Sequence, residues 1–163
     1  PGGSKRGKRP FWNMKNFGWF EKELKKYFFK SDKRNVEFIW NNISKLGKIG
    51  GGRPGKEIRE LERLYFNVFK EEVRILQPDI IIFTTGSRDS YIKHHFNNKC
   101  EFLPRLCFEN SAPLDHTINL IAEIKFLEFP EICAVRVQHP NRRALKNEVI
   151  FEVIKQSLED KIV

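Results

Sequence analysis

The sequence contains few of the residues that build metal or disulfide sites. Its three cysteines, Cys100, Cys107 and Cys133, include no C-x-x-C pair. Structural zinc and iron–sulfur clusters generally require four N or S ligands at short, paired spacings, so the pattern favours neither. An odd number of scattered cysteines indicates reduced, half-buried thiols in a cytoplasmic protein. The histidines lack H-x-x-x-H and H-E-x-x-H spacings, so we expect no metal and no other cofactor.

Long hydrophobic runs are also missing. No apolar stretch approaches the roughly 18 residues of a membrane span, and the N-terminal residues contain no apolar signal core. We therefore expect neither secretion nor a membrane partner. The sequence does not begin with Met, as is expected of a fragment or a processed form.

Acidic residues are outnumbered by basic ones. The 163 residues include 21 Asp and Glu against 30 Lys and Arg, for a formal net charge of +9, and 15 of them are Phe. This charge is compatible with a merely solvated positive surface, but together with the aromatic content it favours a nucleic-acid partner. With 40% hydrophobic and 31% charged residues, the chain has the composition of a globular protein.

The length and composition predict a single domain that is preceded by a short N-terminal arm. We expect the protein to be monomeric. Residues 1–10 are basic and glycine-rich and are predicted to form a flexible arm, which is either an unstructured end or a phosphate-contacting tail. Residues 11–163 are predicted to form a single α/β domain, one that lacks its N-terminal strand if the sequence is a fragment.

Hydrophobic periodicity predicts helices over residues 16–30, 56–76 and 144–158, and Ser87 is the expected N-cap of a helix that reaches about Phe96. Pro78 is expected to stop the second helix. Its predicted core-facing residues are Ile58, Leu61, Tyr65, Val68, Phe69, Val73 and Leu76.

Three apolar runs predict strands, over residues 36–40, 80–83 and 132–137. The second run, Ile-Ile-Ile-Phe, does not alternate with polar residues, which indicates a parallel strand covered on both faces. Either a short edge strand or an irregular segment is plausible between residues 101 and 108, and residues 119–129 fit the helix and strand patterns poorly. We predict a three-layer α/β sandwich whose central, mostly parallel sheet has about four strands between helices.

Several polar residues follow these strands and are candidate site residues. Thr85, Gly86 and Ser87 follow the Ile-rich strand at its carboxyl end, where open α/β sheets collect ligands. Asn41 and Asn42 follow the first predicted strand, either as plain turn residues or as carboxamides that read the edge of a base.

The loop over residues 47–55 is rich in glycine and basic residues. It lacks the G-x-x-x-x-G-K-[ST] spacing of a P-loop, so no nucleotide site is predicted. Lys48 and Arg53 are instead candidates for phosphate contacts.

The last predicted strand leads into Gln138-His139-Pro140-Asn141-Arg142-Arg143. Here His139 is either a functional imidazole at the end of a strand or a histidine with an ordinary structural hydrogen bond. Arg142 and Arg143 follow His139 in the sequence and could bind a phosphate backbone.

Taken in order, these features resemble the uracil-DNA glycosylase superfamily. The resemblance rests on the strand that ends at Asn41-Asn42, on Leu76-Gln77-Pro78-Asp79 with its Ile-rich strand and Gly86, and on the closing His139-Pro140. It covers roughly residues 35–160, and the order and spacing of the motifs carry it rather than any single motif.

The resemblance implies an enzyme that flips a uracil or related damaged base out of single- or double-stranded DNA and hydrolyses its N-glycosidic bond. Asn41 or Asn42 would bind the base edge, and His139 would stabilise the negative charge that develops on a uracil carbonyl. Residues from Pro140 to Arg143 would contact DNA beside the lesion.

Two departures from the family pattern leave a second hypothesis open. The family's water-activating Gly-x-x-Pro turn after a first strand is not recognisable, because no hydrophobic strand precedes Gly7-Lys8-Arg9-Pro10. Asn141 also stands where the closing motif usually has Ser. The alternative is a DNA-binding module of the same fold that has lost catalysis. A metal-dependent nuclease is disfavoured, because the aspartates show no recognisable metal-site spacing.

Overall fold

The computed structural model describes helices and a four-stranded sheet over residues 15–32, 37–50, 54–104, 121–138, 148, 151–152 and 154–156. The helices are α1 (Lys15–Asp32), α2 (Lys56–Tyr65), α3 (Phe69–Leu76) and α4 (Asp89–His95), and the strands are β1 (Ile80–Phe83), β2 (Cys100–Pro104), β3 (Ala122–Phe126) and β4 (Cys133–Arg136). No helix within these residues is both long and apolar enough to cross a bilayer.

The strands lie in the order β1-β4-β3-β2, and the sheet is mixed. β1 pairs with β4 in parallel, whereas β3 is antiparallel to both β4 and β2. The α/β class and the number of strands agree with the sequence analysis, but the prediction of a mostly parallel sheet is wrong. Residues 97–131 contain the error: two strands there pair with each other antiparallel, from Cys100 opposite Phe126 to Pro104 opposite Ala122, a pairing that needs no crossover helix.

Apolar side chains cover both faces of the parallel pair. On β4, Cys133 and Val135 belong to one buried cluster and Ala134 to another, as the two-residue period of a strand requires. The first cluster also contains Leu24 of α1 and Ile154, while the second contains residues of α3 and α4, such as Phe69. Of the two predicted runs, β4 is buried along its whole length, whereas in β1 only Phe83 is buried and the three isoleucines are partly buried.

The predicted helix near the N-terminus is confirmed. Helix α1 extends slightly beyond residues 16–30 at both ends, and its Leu24 is buried against the sheet. Trp19 and Tyr27 pack edge-on against Phe151, with ring centroids 6.0 and 6.4 Å away. Residues 148, 151–152 and 154–156 are helical, in agreement with the predicted closing helix.

Two predicted elements differ in the structure. Residues 37–40 do not belong to a strand, and Val36 lies outside the described residues. The predicted helix over residues 56–76 is two helices, because the chain leaves helical geometry at Phe66, where φ is −142°. The interruption lets α3 bury Phe69 and Val73 while α2 turns a different face to the protein.

The face that α2 buries is not its apolar stripe. Leu61 and Tyr65, predicted to face the core, are 52% and 78% exposed, whereas Glu62 is only 4% exposed. Leu76 at the end of α3 is also exposed. A buried polar contact thus determines the orientation of α2, against the pattern of its apolar residues.

Candidate functional site

The carboxyl ends of β1 and β4 are joined by hydrogen bonds that continue beyond the strands. The Val137 N–H donates to the Phe83 carbonyl at 2.8 Å, and the Gly86 N–H donates to the Val137 carbonyl at 3.0 Å. The predicted site turn, Thr85 to Ser87, therefore lies beside the chain segment that leads from β4 into Gln138. The sheet edge at which the sequence predicts a ligand site is formed by these two segments.

Gly86 gives this turn a backbone conformation that other residues adopt poorly. Its φ is +62°, and a Cβ atom placed on it would meet nothing within 4 Å. Because the space is open, the cost of a Gly86→Ala change is backbone strain alone, about 1–2 kcal/mol of unfolding free energy. Urea denaturation checks this value, and Gly86→Asn should cost less because Asn tolerates the left-handed region better. Equal stability of the wild type and Gly86→Ala would contradict the left-handed turn.

The two neighbours of Gly86 differ in exposure. Thr85 is half-buried, while Ser87 is exposed. Ser87 is not the N-cap of the following helix, because α4 begins at Asp89 with Arg88 at the N-cap position and without a side-chain cap bond. That prediction was wrong, and Ser87 instead presents its hydroxyl at the surface of the turn.

An ion pair between a buried arginine and a half-buried aspartate lies at the same edge. The Nε of Arg136, the last residue of β4, is 2.9 Å from Oδ1 of Asp89 at the start of α4, an ion contact rather than an aligned hydrogen bond. Arg136 is 2% exposed. Burial lowers the pKa of this guanidinium, and the Asp89 carboxylate opposes that shift. The sequence carried a signal for this pair, since Arg136 is a charged residue within an apolar strand.

Gln138 is the next buried polar residue along this segment. It is 8% exposed, and its Oε1 is buried and has no hydrogen-bond partner among the residues that the structure describes. Strand alternation puts it on the Arg136 side, because Val137 belongs to the opposite cluster. The edge thus contains a buried cation and an unsatisfied acceptor next to the glycine turn.

Some predicted site residues lie outside the described residues: Arg53, His139, Pro140, Asn141, Arg142 and Arg143. Of the predicted DNA contacts, Lys48 is described, and it is exposed in an irregular segment. Its exposure leaves the ammonium accessible to a phosphate.

The two candidate asparagines lie in different environments. Asn41 donates from Nδ2 to Oε2 of Glu72 at 2.9 Å, and its Oδ1 accepts a bond from the Lys45 ammonium. Lys45 also forms an ion pair of 2.6 Å with Glu72. Asn42 is exposed. Both polar ends of the Asn41 carboxamide are therefore engaged by protein groups.

A short series of contacts connects the asparagine segment to the end of β1. The Lys45 ammonium lies 5.7 Å from the ring centroid of Phe69, and this ring lies 6.0 Å from that of Phe83, the last residue of β1. Lys45 is thus connected to the last residue of β1 through the ring of Phe69.

A polar cluster lies at the end of α4, which contains His94 and His95, and no sequence motif indicated it. His95 is 3% exposed, and its Nδ1 is 2.7 Å from Oδ1 of Asn67. Since that oxygen only accepts, His95 donates this hydrogen bond from Nδ1. Burial lowers the pKa of His95 to about 4, assisted by His94 and Lys45 and opposed by Glu62 and Glu72.

This histidine should make the protein sensitive to acid. The folded pKa, about 4, is below the ordinary histidine value of 6.5, so the unfolded chain binds the proton more readily, and stability falls as pH drops from 6.5 towards 4. The loss attributable to His95 is up to about 3 kcal/mol. Urea denaturation at pH 7 and 4.5 measures it, and His95→Gln should reduce the pH dependence. An unchanged pH dependence in that variant would contradict the assignment.

A separate cavity lies at the opposite edge of the sheet. Its volume is about 310 Å³, and its lining residues are Val73, Arg74, Gln77, Phe129, Glu131 and Ile132. Gln77 and Ile132 come before β1 and β4, so this cavity is at the amino ends of the parallel strands. It is therefore not part of the candidate site, because residues 85–87 and Gln138 lie at the carboxyl ends.

Among the residues that the structure describes, no group of three or more His, Cys, Asp and Glu side chains could hold a metal ion. Comparisons with protein-family models, with curated proteins and with solved structures found no match.

Proposed function

We propose that this protein is a DNA base-excision glycosylase that hydrolyses the N-glycosidic bond of a flipped-out uracil or related damaged base. The observation that carries the proposal is the hydrogen bond from Gly86 N–H to the Val137 carbonyl. It supports a single site at the carboxyl edge of β1 and β4, since His139 follows Gln138 directly in the sequence. The buried clusters on both faces of the parallel pair likewise support the three-layer arrangement of such an enzyme.

The proposed reaction is a hydrolysis at the sugar carbon. The oxygen of a water molecule bonds to C1′, the C1′–N1 bond breaks, and its electron pair leaves with the base, which takes up a proton. Negative charge develops on the base carbonyls as this bond breaks, and the proposed role of His139 is to stabilise it by a hydrogen bond. Extruding the base costs a few kcal/mol of stacking, which contacts in the pocket must offset.

DNA is the proposed partner because the chain carries a net charge of +9. Phosphate-led binding releases counterions and therefore weakens steeply as salt rises. The exposed Lys48 and the arginines that follow His139 in the sequence are the proposed phosphate contacts.

One observation favours a non-catalytic DNA-binding module as the second candidate. The carboxamide of Asn41 is bound by Glu72 and Lys45, so in this conformation it does not present free groups to a base. A module that binds DNA without excising a base does not need this side chain to be released.

Oligonucleotides that differ only in one uracil or thymine separate the two candidates. The protein is incubated with each, in single- and double-stranded form, and abasic product and binding are both measured across a range of salt concentrations. Abasic product confined to the uracil strand supports the enzyme. Salt-dependent binding without product supports the module, and the absence of both results contradicts the two proposals together.

A further inference from the structure

A contiguous apolar segment, Phe38-Ile39-Trp40, is exposed on the protein surface. The exposed fractions of its side chains are 40% for Phe38, 67% for Ile39 and 38% for Trp40. The sequence predicts a strand here, but in the structure these residues belong to no strand. Contiguous apolar patches on a protein surface mark interaction sites, whereas single exposed apolar residues need no explanation. This aromatic segment is therefore a candidate for binding a partner.

Contacts with helices on opposite faces of the sheet hold both ends of the aromatic segment. At one end the Lys25 ammonium of α1 lies 5.6 Å from the ring centroid of Phe38. At the other end Asn41 donates a hydrogen bond to Glu72 of α3. Because α1 contributes to the first buried cluster and α3 to the second, the segment passes from one face of the sheet to the other. Its rings are thus presented by a fixed segment, which lowers the cost of ordering it on binding.

Basic residues accompany the aromatic segment. Residues 15–40 contain seven Lys and Arg against four Asp and Glu, and Lys22, Lys25 and Lys26 of α1 are exposed. The Lys25 ammonium is 2.6 Å from the Glu21 carboxylate, and the two side chains are 47% and 34% exposed. Solvent-accessible pairs of this kind contribute little to stability, so a phosphate can replace Glu21 beside Lys25 at small cost. Aromatic rings and exchangeable cations therefore lie side by side.

We propose that the aromatic segment and the exposed lysines of α1 form a binding surface for single-stranded DNA. Bases stack on the rings of Phe38 and Trp40, and phosphates bind Lys25 and the lysines beside it. Proteins that bind single strands without sequence preference combine aromatic side chains with a positively charged groove, because every base has a π face. In a duplex the neighbouring base pairs cover these faces, so the surface selects single strands.

The inference rests on the DNA partner of the proposed function and specifies the form of DNA that the protein binds. The surface holds the strand and touches no reacting atom. Strand binding and uracil release can therefore be measured separately.

Substitutions at Phe38 and Trp40 test the stacking contacts through the Kd for an oligothymidine of about 15 nucleotides. Phe38→Leu keeps an apolar side chain but removes the π face, so it should raise Kd about tenfold, and Trp40→Leu should do the same. Phe38→Tyr keeps the ring and should stay within about twofold of the wild type. Tyr65→Ala removes an aromatic side chain of α2 that is 78% exposed; it is the matched control and should leave Kd unchanged. Circular dichroism checks that each variant is folded.

Changes in the salt concentration and in the DNA separate the phosphate contacts from the stacking contacts. Lys25→Ala should reduce the slope of log Kd against log salt concentration by about 0.7, the value for one phosphate of a single strand, whereas Lys25→Arg should retain the slope. A strand of the same length without bases carries the same phosphates, and it should bind about tenfold or more weakly and be insensitive to Phe38→Leu. The duplex with oligoadenosine should also bind about tenfold or more weakly than the single strand.

The outcomes separate this inference from the proposed function. Equal Kd values for Phe38→Leu, Trp40→Leu and the wild type, or tighter binding of the duplex, would overturn the surface and leave the glycosylase proposal to the uracil assay. A dimer of the chain that Phe38→Leu dissociates, with Kd for the single strand unchanged, would assign the segment to a second copy and also overturn the surface. Ring-dependent binding of the single strand without uracil release would support the surface and contradict the enzyme alone. A wild type that binds neither form of DNA would overturn both.

Discussion

Replacing His139 with alanine is expected to lower kcat for uracil release about 100- to 1,000-fold, the cost of removing one preorganised donor from a developing oxyanion. KM should change little, because the imidazole is proposed to act mainly on charge that develops in the transition state. Single-turnover measurement of abasic product, with DNA affinity recorded in parallel, checks both expectations. The physical basis is the carboxyl edge of the parallel strands, where Gly86 is bonded to Val137.

A control separates this role from a structural one. His116→Ala removes a histidine elsewhere in the sequence and should leave kcat unchanged. Circular dichroism and a melting curve should show His139→Ala folded as the wild type is. A folded His139→Ala protein that releases uracil at the full rate would overturn the assignment of this residue.

The second large effect is expected on stability, from the ion pair between the buried Arg136 and the half-buried Asp89. Asp89→Ala removes a carboxylate 2.9 Å from a guanidinium that is almost fully buried, and it should cost about 3 kcal/mol of unfolding free energy. The cost arises because the Arg136 charge loses a compensating partner in a medium that solvates it poorly. Urea denaturation at neutral pH measures the change.

Two further variants test the mechanism of this loss. Combining Asp89→Ala with Arg136→Met removes both charges and should recover much of the lost stability, as replacement of buried pairs by apolar groups often does. Glu60→Ala breaks an exposed pair with Lys56, 3.7 Å apart, and should cost less than about 1 kcal/mol. Equal costs for Asp89→Ala and Glu60→Ala would contradict the buried pair.

The two parallel strands could be predicted because their local sequence and their packing agree. Ile80–Phe83 and Cys133–Arg136 are continuous apolar runs, apart from Arg136, and the structure pairs them in parallel. The same logic correctly predicted α1, where the three- and four-residue spacing of apolar residues matches the face that buries Leu24.

β3 was not predicted because it contains a charged residue that is buried in the sheet. It contains Glu123, which is 7% exposed at the centre of the sheet, so its hydrophobic pattern resembles neither a helix nor an ordinary strand. The orientation of α2 was wrong for a similar reason, since Glu62 is buried in place of Leu61 and Tyr65. In both elements the burial of a carboxylate outweighs the pattern of apolar and polar residues. The groups that contact this carboxylate cannot be predicted from the local sequence.

In the candidate site, too, some features follow from the local sequence, whereas others depend on residues that are far apart in the sequence. The location of Thr85 to Ser87 at a carboxyl edge follows from the strand–turn–helix order, and the bond between Gly86 and Val137 agrees with it. The engagement of Asn41 by Glu72 depends on residues 31 positions apart in the sequence. No local pattern could have indicated it.

Direct detection of the released base tests the central claim most sharply. The protein is incubated with uracil-containing DNA, and both free uracil, by mass spectrometry, and abasic sites, by alkaline strand cleavage, are quantified against the thymine-matched strand. The account predicts equal amounts of uracil and abasic sites from the uracil strand alone, with both reduced about 100-fold or more in His139→Ala. No free uracil from single- or double-stranded substrate, under conditions in which the protein is folded, would contradict it.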